Sequence, residues 1–319
     1  MSFRLATFNA ENLDFRPEGE PLFRRRLAAL RPILERLDAD VLCLQEVNAP
    51  RPEPQAARGF EPLDRLLEGT PYAERPRATS LRPGSDQPAD VHNLAILSRW
   101  PIEETRQIHH DFVPAWEWRP PGDGAEAEPV PARFDRPVLY ARLAAPDGPL
   151  HVLNLHLRAP RAAFLPGQKH KGEWASSAAW AQGMFLAAQL RQAQALEARL
   201  FVEALFDADA RARIVVCGDF NADSYETPTR LLCGAPEDGA DDAFSDRRLE
   251  RLEARAPRER RHTVIHAGRR VLLDHILASP VLAAACREVE ILNEDLMDEA
   301  TAQEPVEGSL HAPIVAAFA

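Results

Sequence analysis

Polar side chains of a kind that bind metals or move protons stand at the edges of short apolar runs in this sequence. They are Asn9, Glu46, His156, Asp219, Asn221, Asp274 and His311. A carboxylate buried without a partner is strongly destabilised, so we expect the acids among them to have partners. A divalent cation bound through oxygen atoms would suit Glu46 and Asp219. Because the set contains no cysteine, it suits Mg²⁺ or Mn²⁺ better than structural zinc.

Each of these residues also has an ordinary structural explanation. Asn9 alone is typical of a turn or cap residue, and the segment from Gly218 to Asn221 is typical of an Asx turn. His156 alone would fit a satisfied histidine at the edge of a core. For all of them to stand at strand ends by chance would need many independent coincidences, so together they indicate one functional site.

The apolar runs predict a framework of β-strands. The predicted strands are Phe3–Phe8, Val41–Leu44, Leu94–Leu97, Val138–Leu143, Leu150–Leu155, Ile214–Cys217, Val271–Leu277 and Ile314–Phe318. Several are apolar on both faces, which indicates strands covered on both sides. Helical patterns separate some of them, and the sequence has no glycine-rich phosphate loop, which favours α/β layers over a P-loop or Rossmann fold.

Two segments have the apolar spacing of helices. The first runs from Pro21 to Leu37, where Pro21 suits a first helical turn and Pro32 is expected to kink or divide the helix. The second runs from Ser176 to about Asp207 and has the strongest helical pattern in the chain.

Composition narrows the classes of function. The chain has 319 residues, with 38 Lys and Arg against 49 Asp and Glu, and a net charge of −11. Binding of nucleic acid or anionic lipid through overall charge is therefore not expected, and an anionic substrate needs a local basic patch or a metal. No apolar run has transmembrane length, no export signal is recognisable and the four cysteines are scattered, which predicts a cytoplasmic protein with reduced thiols.

Six motifs together resemble those of the endonuclease/exonuclease/phosphatase superfamily, which has the DNase I-like fold. They are Thr7-Phe8-Asn9-Ala10-Glu11-Asn12-Leu13, Leu44-Gln45-Glu46-Val47, Asn154-Leu155-His156-Leu157, Gly218-Asp219-Phe220-Asn221, Leu273-Asp274-His275-Ile276 and Ser309-Leu310-His311-Ala312-Pro313. The resemblance implies an α/β fold, a four-layer α/β sandwich of two packed mixed β-sheets flanked by helices, with the site at one rim of the sheets. It also implies one catalytic domain over residues 1–319, with a basic insert and long helix around 157–207.

The same resemblance implies roles for the residues at the metal and the phosphate. Glu46 is similar to the family's main Mg²⁺ ligand, and Asn9 to a neighbouring metal or phosphate residue. His156 is similar to the histidine that donates to a phosphate oxygen.

The resemblance also implies which residues handle the attacking water. Asp219 is similar to the residue that orients or deprotonates this water, and Asn221 to the residue that holds the phosphate or the nucleophile. Asp274 and His311 are similar to a coupled pair whose histidine is either a general base or a charge stabiliser.

One position departs from the family pattern. The family commonly has Ser-Asp-His before the last strand, where this chain has Ser309-Leu310-His311. Leucine cannot bind a metal, so any contribution of that aspartate to a second metal position is missing. The sequence therefore predicts one tightly bound ion, Mg²⁺ or Mn²⁺, and disfavours a two-metal mechanism.

Basic segments are the local clues to a substrate. The segment that follows His156 carries Arg158, Arg161, Lys169 and Lys171 close to Trp174, and cations beside an aromatic ring suit phosphates and a stacked base. A stretch with five arginines at 258–270 and a loop with Trp116 and Trp118 are further candidates, although exposed arginines and packed tryptophans are equally ordinary. Acidic segments at 237–246 and 294–307 oppose binding of long polyanions outside the cleft.

The sequence thus predicts a divalent-metal-dependent phosphoric ester hydrolase. The preferred activity is that of a phosphodiesterase or nuclease acting on DNA, RNA or a smaller phosphodiester. Direct attack by water is expected, because no residue resembles a covalent nucleophile beside its base. The alternatives are a phosphatase or sphingomyelinase-like phosphodiesterase on a small or lipid substrate, and a catalytically inactive phosphate-binding module. No protein partner is identifiable.

Overall fold

The computed structural model describes residues 2–16, 19–53, 55–120, 129–234, 242–302 and 305–319. Residues 237–241 of the predicted acidic segment 237–246 lie outside the described residues. The strands are β1 (Phe3–Leu13), β2 (Val41–Val47), β3 (Arg77–Thr79), β4 (Asn93–Ser98), β5 (Ile102–Ile108), β6 (Trp116–Trp118), β7 (Val130–Ala132), β8 (Val138–Leu143), β9 (Leu150–His156), β10 (Lys169–His170), β11 (Glu173–Trp174), β12 (Arg213–Asp219), β13 (Glu250–Arg251), β14 (Val264–His266), β15 (Arg269–Val271), β16 (Asp274–Ala278), β17 (Cys286–Ile291) and β18 (Ile314–Phe318). The α-helices are α1 (Glu20–Leu37), α2 (Glu61–Leu67), α3 (Ser177–Ala208), α4 (Thr227–Cys233) and α5 (Pro280–Ala285).

Twelve of these strands form two six-stranded mixed sheets. Sheet A has the order β17-β18-β1-β2-β4-β3, and sheet B has the order β13-β16-β12-β9-β8-β5. β1 and β2 are parallel in sheet A, β9 and β12 are parallel in sheet B, and the other neighbours in both sheets are antiparallel. The remaining strands pair as three hairpins, β6–β7, β10–β11 and β14–β15.

The two sheets pack face to face and helices cover their outer faces. The core between the sheets contains inward-facing residues of both, such as Leu5, Val41, Val152 and Val215. α1 and α2 pack on the outer face of sheet A, and α3 and α4 pack on the outer face of sheet B. These four layers confirm the fold that the sequence predicted.

Pro32 does not divide the first helix. α1 runs without interruption across it, from Glu20 to Leu37. Pro32 and Ala28 lie on the exposed side of the helix, so water can bind the Ala28 carbonyl that lacks its helical donor. The buried side, with Leu30, Leu34 and Leu37, holds the helix on sheet A.

The predicted strand 271–277 is two strands. β15 ends at Val271 and β16 begins at Asp274. Between them, Thr263 Oγ1 accepts hydrogen bonds from the Leu273 and Asp274 amides at 3.0 and 3.1 Å. Because these amides bind a side chain, they leave the strand ladder where Asp274 enters sheet B.

The long helix agrees with its prediction within one residue. α3 spans Ser177–Ala208, and the Ser176 hydroxyl caps it by accepting from the Ala179 amide at 3.0 Å. All four cysteine side chains are buried and none forms a disulfide. Among the described residues, no helix combines the length and the apolar character needed to cross a bilayer.

Candidate active site

Three of the predicted residues lie side by side across sheet B. Asp219, the last residue of β12, is in register with His156 on one neighbouring strand and with Asp274 on the other. Residues in register on adjacent strands point to the same face of a sheet. All three side chains are buried and lie at the rim of the space between the sheets.

Sheet A brings Asn9 and Glu46 to the same rim. Asn9 pairs with Gln45 on the parallel strand β2, so alternation alone would turn Glu46 to the outer face. The backbone of Glu46 instead adopts a left-handed conformation with φ +58°, within an irregularity between Leu44 and Val47. This bulge turns the carboxylate inward, and such a conformation in a non-glycine residue is typical of functional sites.

The Asn9 amide joins the two sheets. Its Nδ2 donates to Glu46 Oε1 and to Asp219 Oδ2, each at 3.1 Å. Glu46 Oε2 accepts from the backbone N–H of Asn12 at 2.9 Å, and Asn9 Oδ1 accepts from the backbone N–H of Glu11 at 3.0 Å. One neutral amide therefore holds carboxylates of two different sheets at a fixed separation.

Asp219 sits in a tight turn that glycine makes possible. Asn221 donates from its backbone to Asp219 Oδ1 at 2.8 Å, and its Nδ2 donates to Leu157 O at 3.0 Å. Gly218 has φ +133°, and a Cβ there would lie 2.0 Å from Leu155 O. A side chain at Gly218 would thus push apart the two strands that carry Asp219 and His156.

His311 and Asp274 form the predicted pair. His311 Nδ1 lies 2.8 Å from Asp274 Oδ2, and its Nε2 lies 4.0 Å from Asp219 Oδ2. Burial alone would lower the pKa of His311, but the negative charges of Asp274 and Asp219 outweigh it and raise this pKa well above its ordinary value. Burial also raises the pKa of Asp219 to about 7, against the opposing charge of His311. His311 is therefore charged at neutral pH, and Asp219 is poised to exchange a proton there.

His156 is held as a neutral ring. Burial first, and then the positive charge of Arg136, place the pKa of His156 well below its ordinary value. Its Nε2 lies 3.5 Å from Asp219 Oδ2 and 3.8 Å from Glu46 Oε1. A neutral imidazole can bind a cation or donate one hydrogen bond.

The donor set fits a divalent cation. Ligand atoms of Glu46, His156 and Asp219 lie within 4.8 Å of one another, and so do those of Asp219, Asp274 and His311. Two buried atoms at the site, His156 Nδ1 and Asp274 Oδ1, have no hydrogen-bond partner among the described residues. Oxygen-rich groups with unsatisfied buried atoms are typical of a place where a hard cation or a phosphate binds.

Sequence reasoning missed two residues of the site, His92 and Arg136. The Arg136 guanidinium donates to His156 O at 3.0 Å and to His92 Nδ1 at 3.2 Å. His92 Nε2, which then carries the ring proton, lies 2.9 Å from Asn12 Oδ1. His92 directly precedes β4, which runs antiparallel to β2, so polar residues at strand beginnings were the signal.

The predicted substrate residues lie on the loop after His156 and on the β10–β11 hairpin. Arg158 follows Leu157, whose amide donates to Asp219 O at 2.9 Å, and its guanidinium pairs with Asp135 at 2.8 Å. Arg161 is exposed on the following loop. Lys169 and Lys171 are exposed on the β10–β11 hairpin, where Lys169 Nζ lies 5.3 Å from the centre of the Trp174 ring.

In the arginine-rich stretch 258–270, the other basic candidate, some side chains bind groups of the protein itself. Arg260 pairs with Glu294 at 2.6 Å, and Arg261 Nε donates to Ala256 O at 2.7 Å. Trp116 and Trp118 are half-buried in a small core under α3, which is the packing role that the sequence left open for them. Leu310 is buried, so the residue in place of the family's aspartate is a packing residue here.

Comparison with known proteins identifies the family. A model described as "Endonuclease/Exonuclease/phosphatase family" matches residues 6–296. A comparison with curated proteins finds no match. Among solved structures, truncated TDP2 from Caenorhabditis elegans superposes with a TM-score of 0.59 at 16% identity, covering 99% of this chain and 97% of that one.

Two further structures share the fold. An AP endonuclease from Archaeoglobus fulgidus has a TM-score of 0.52 at 18% identity, with 99% of each chain covered. The 3′ phosphatase NExo from Neisseria, bound to a product DNA hairpin, has a TM-score of 0.50 at 18% identity, again with 99% of each chain covered. The family match over most of the chain, on this fold and with these motifs, places the protein in the endonuclease/exonuclease/phosphatase family.

Proposed function

We propose that the protein is a divalent-metal-dependent phosphodiesterase that cleaves its substrate by direct attack of water. The observation that carries this proposal is the Asn9 amide, which holds Glu46 and Asp219 together beside the charged His311. Phosphoester hydrolysis needs an oriented water and positive charge at the phosphoryl oxygens. We further propose that the chain acts as one catalytic domain over residues 1–319, because the site draws on motifs from Asn9 to His311.

Glu46 would hold the cation, with Asn9, His156 and Asp219 beside it. When bound, Mg²⁺ or Mn²⁺ supplies charge that neutralises the phosphoryl oxygens. Buried Leu310 offers no ligand, which supports a single tightly bound ion.

Three side chains divide the proton chemistry between them. Asp219, held by Asn9 and Asn221, takes the proton of the water as the water oxygen bonds to phosphorus and the bond to the leaving oxygen breaks. Protonated His311, held by Asp274, donates to a phosphoryl oxygen and stabilises its charge. Neutral His156 donates to a second phosphoryl oxygen, and Asn221 orients the water.

The hydroxyl of Ser309, near the site, is hydrogen-bonded to the backbone. Ser309 Oγ donates to Asn9 O at 2.7 Å and accepts from the His311 amide at 3.0 Å. Its proton is therefore engaged away from any base. This supports direct attack by water over a covalent intermediate.

A projection that we call the cap supports a polymeric substrate. It consists of residues 112–120, 129–136 and 157–190, with a small core that includes Phe134, Leu165 and Leu190. Arg191 on α3 donates to Asn221 O at 3.0 Å, which places that point of the helix level with the site. The earlier part of α3 therefore extends about 20 Å beyond the rim, at 1.5 Å per residue.

The described residues of the cap are richer in cations than the rest of the protein. They include seven cations, Arg119, Arg133, Arg136, Arg158, Arg161, Lys169 and Lys171, against three acids, Glu117, Asp135 and Glu173, in a chain of net charge −11. The connecting stretch 121–128, which lies outside the described residues, adds the acids Asp123, Glu126 and Glu128 to the sequence. Phe164, Trp180 and Phe185 are 66%, 48% and 49% exposed on the cap. Cations with exposed rings suit the phosphates and bases of a single strand of nucleic acid, which favours a nuclease over a phosphatase or a sphingomyelinase-like enzyme.

Hydrolysis of bis(p-nitrophenyl) phosphate tests the activity. Turnover should require Mg²⁺ or Mn²⁺ and stop with EDTA, and Asp219→Asn should lower kcat on the order of 100-fold or more because the base is lost. Asp223→Asn, on the same loop but outside the proposed site, is the matched control and should stay active. Equal turnover with EDTA, or an active Asp219→Asn variant, would show that the proposed chemistry is wrong. A chain that is folded and inert towards every phosphoester would favour the inactive binding module.

Cation binding should depend on pH because Asp219 must be ionised to take part. With its pKa at about 7, protons compete with the cation below neutrality. Mn²⁺ affinity should therefore rise roughly tenfold between pH 6 and pH 8. Calorimetric titration measures this, and Asp219→Asn should flatten the dependence. An affinity that is independent of pH in the unaltered protein would refute the role of Asp219.

Removal of the cap cations tests whether the cap binds a single strand of nucleic acid. The triple variant Arg161→Ala/Lys169→Ala/Lys171→Ala should raise KM for a single-stranded oligonucleotide and reduce the salt dependence of KM, because phosphate contacts are lost. The rate with bis(p-nitrophenyl) phosphate should stay the same. Arg99→Ala/Arg211→Ala/Arg287→Ala, which removes three exposed cations at the opposite rim, is the control for charge alone. A uniform effect of both variants would contradict binding at the cap.

A further inference from the structure

A second buried acid–histidine pair lies directly behind the site. His275 follows Asp274 on β16, so its side chain points to the opposite face of sheet B. Its Nδ1 lies 2.8 Å from Oε1 of Glu253, which belongs to the 3₁₀ turn Leu252–Arg255. The His275 side chain is 0% exposed and that of Glu253 is 1% exposed, so neither is open to solvent.

Both ring nitrogens of His275 face acceptors. Nδ1 faces the Glu253 carboxylate, and Nε2 lies 2.8 Å from the Ala222 carbonyl oxygen. Two acceptors require two N–H groups, so the ring carries both protons. Burial lowers the pKa of His275, but the charge and hydrogen bond of Glu253 outweigh it and raise this pKa above its ordinary value. A buried ion pair of this kind contributes little net stability, which suggests that it serves another purpose.

The carbonyl that His275 holds belongs to the catalytic turn. Ala222 directly follows Asn221, whose amide and side chain orient Asp219. The ring of Phe220, which lies between Asp219 and Asn221 in the chain, packs on His275 with ring centres 4.9 Å apart. His275 therefore contacts the turn from the side away from the site, at Phe220 and Ala222, the two residues that flank Asn221.

We propose that His275, held by Glu253, is a positioning residue that clamps the turn from Asp219 to Ala222 from behind. The clamp fixes where the Asp219 carboxylate and the Asn221 amide meet the attacking water. It acts through these residues and touches no reacting atom. Its effect on rate rests on the proposed phosphodiesterase function, whereas the clamp itself does not.

Replacing His275 by glutamine or by asparagine tests its two hydrogen bonds separately. A glutamine amide nitrogen can occupy the place of Nε2 and keep the bond to Ala222 O, whereas an asparagine amide nitrogen replaces only Nδ1. Both variants are made together with Glu253→Gln, so that no buried charge remains unpaired. Glu253→Gln alone is the reference, because a neutral His275 can still donate from Nε2 to Ala222 O.

The asparagine variant should lose the clamp. His275→Asn/Glu253→Gln should lower kcat for bis(p-nitrophenyl) phosphate on the order of 10- to 100-fold, with KM changed less than about twofold. His275→Gln/Glu253→Gln should stay within about threefold of the reference. A role in stability alone would not produce this difference in kcat between the two double variants. Amide hydrogen exchange of residues 219–223 should accelerate only in the asparagine variant.

The outcomes separate the clamp from the activity. Equal kcat and equal exchange in the two double variants would overturn the proposal. If the unaltered protein has no phosphodiesterase activity, the proposed function fails, and the exchange rates alone still decide whether His275 holds the turn.

Discussion

Two carboxylates from different sheets meet at one rim, and the site depends on what keeps them together. Glu46 comes from sheet A and Asp219 from sheet B, and ionised carboxylates this close would repel each other. The Asn9 amide donates to both at 3.1 Å, so it links the sheets and offsets part of that repulsion. Burial, more than the charge of Glu46, raises the pKa of Asp219 to about 7. A bound cation would neutralise both carboxylates, so this geometry favours metal binding.

The side chains that face the space between the sheets change from apolar to polar towards the site, and they do so along four strands together. Inward residues on β1 are Phe3, Leu5, Thr7 and Asn9, and those on β9 are Leu150, Val152, Asn154 and His156. β2 and β12 follow the same order, from valine through cysteine to Gln45 and Asp219. The middle layer closes the gap between the sheets, because Gln45 Nε2 donates to Asn154 Oδ1 at 2.7 Å and to Thr7 Oγ1 at 3.0 Å. An apolar core thus fixes the sheets, a layer of amides fixes their rims, and the reactive groups stand on that layer.

Much of this could be predicted from sequence because strand alternation places side chains. His156 and Asp219 end their strands and Asp274 begins its strand, and the register of those strands brings them together. Glu46 reaches the site only through a left-handed bulge that no alternation rule contains. His92 and Arg136 precede their strands, so a search of strand ends passes over them, and the direction of β4 is what brings His92 to the rim. The unbroken α1 shows the opposite case, where packing on sheet A outweighs the preference of Pro32.

Direct observation of the cation tests the account at its centre. Crystals grown with Mn²⁺ and measured at its absorption edge should show one strong anomalous peak in contact with the Glu46 carboxylate and near Asp219. Crystals of the Glu46→Gln variant should lack that peak while keeping the Asn9 bridge to Asp219. A peak that persists without the Glu46 carboxylate, or Mn²⁺ found only away from this rim, would contradict the claim that the two sheets jointly build a metal site.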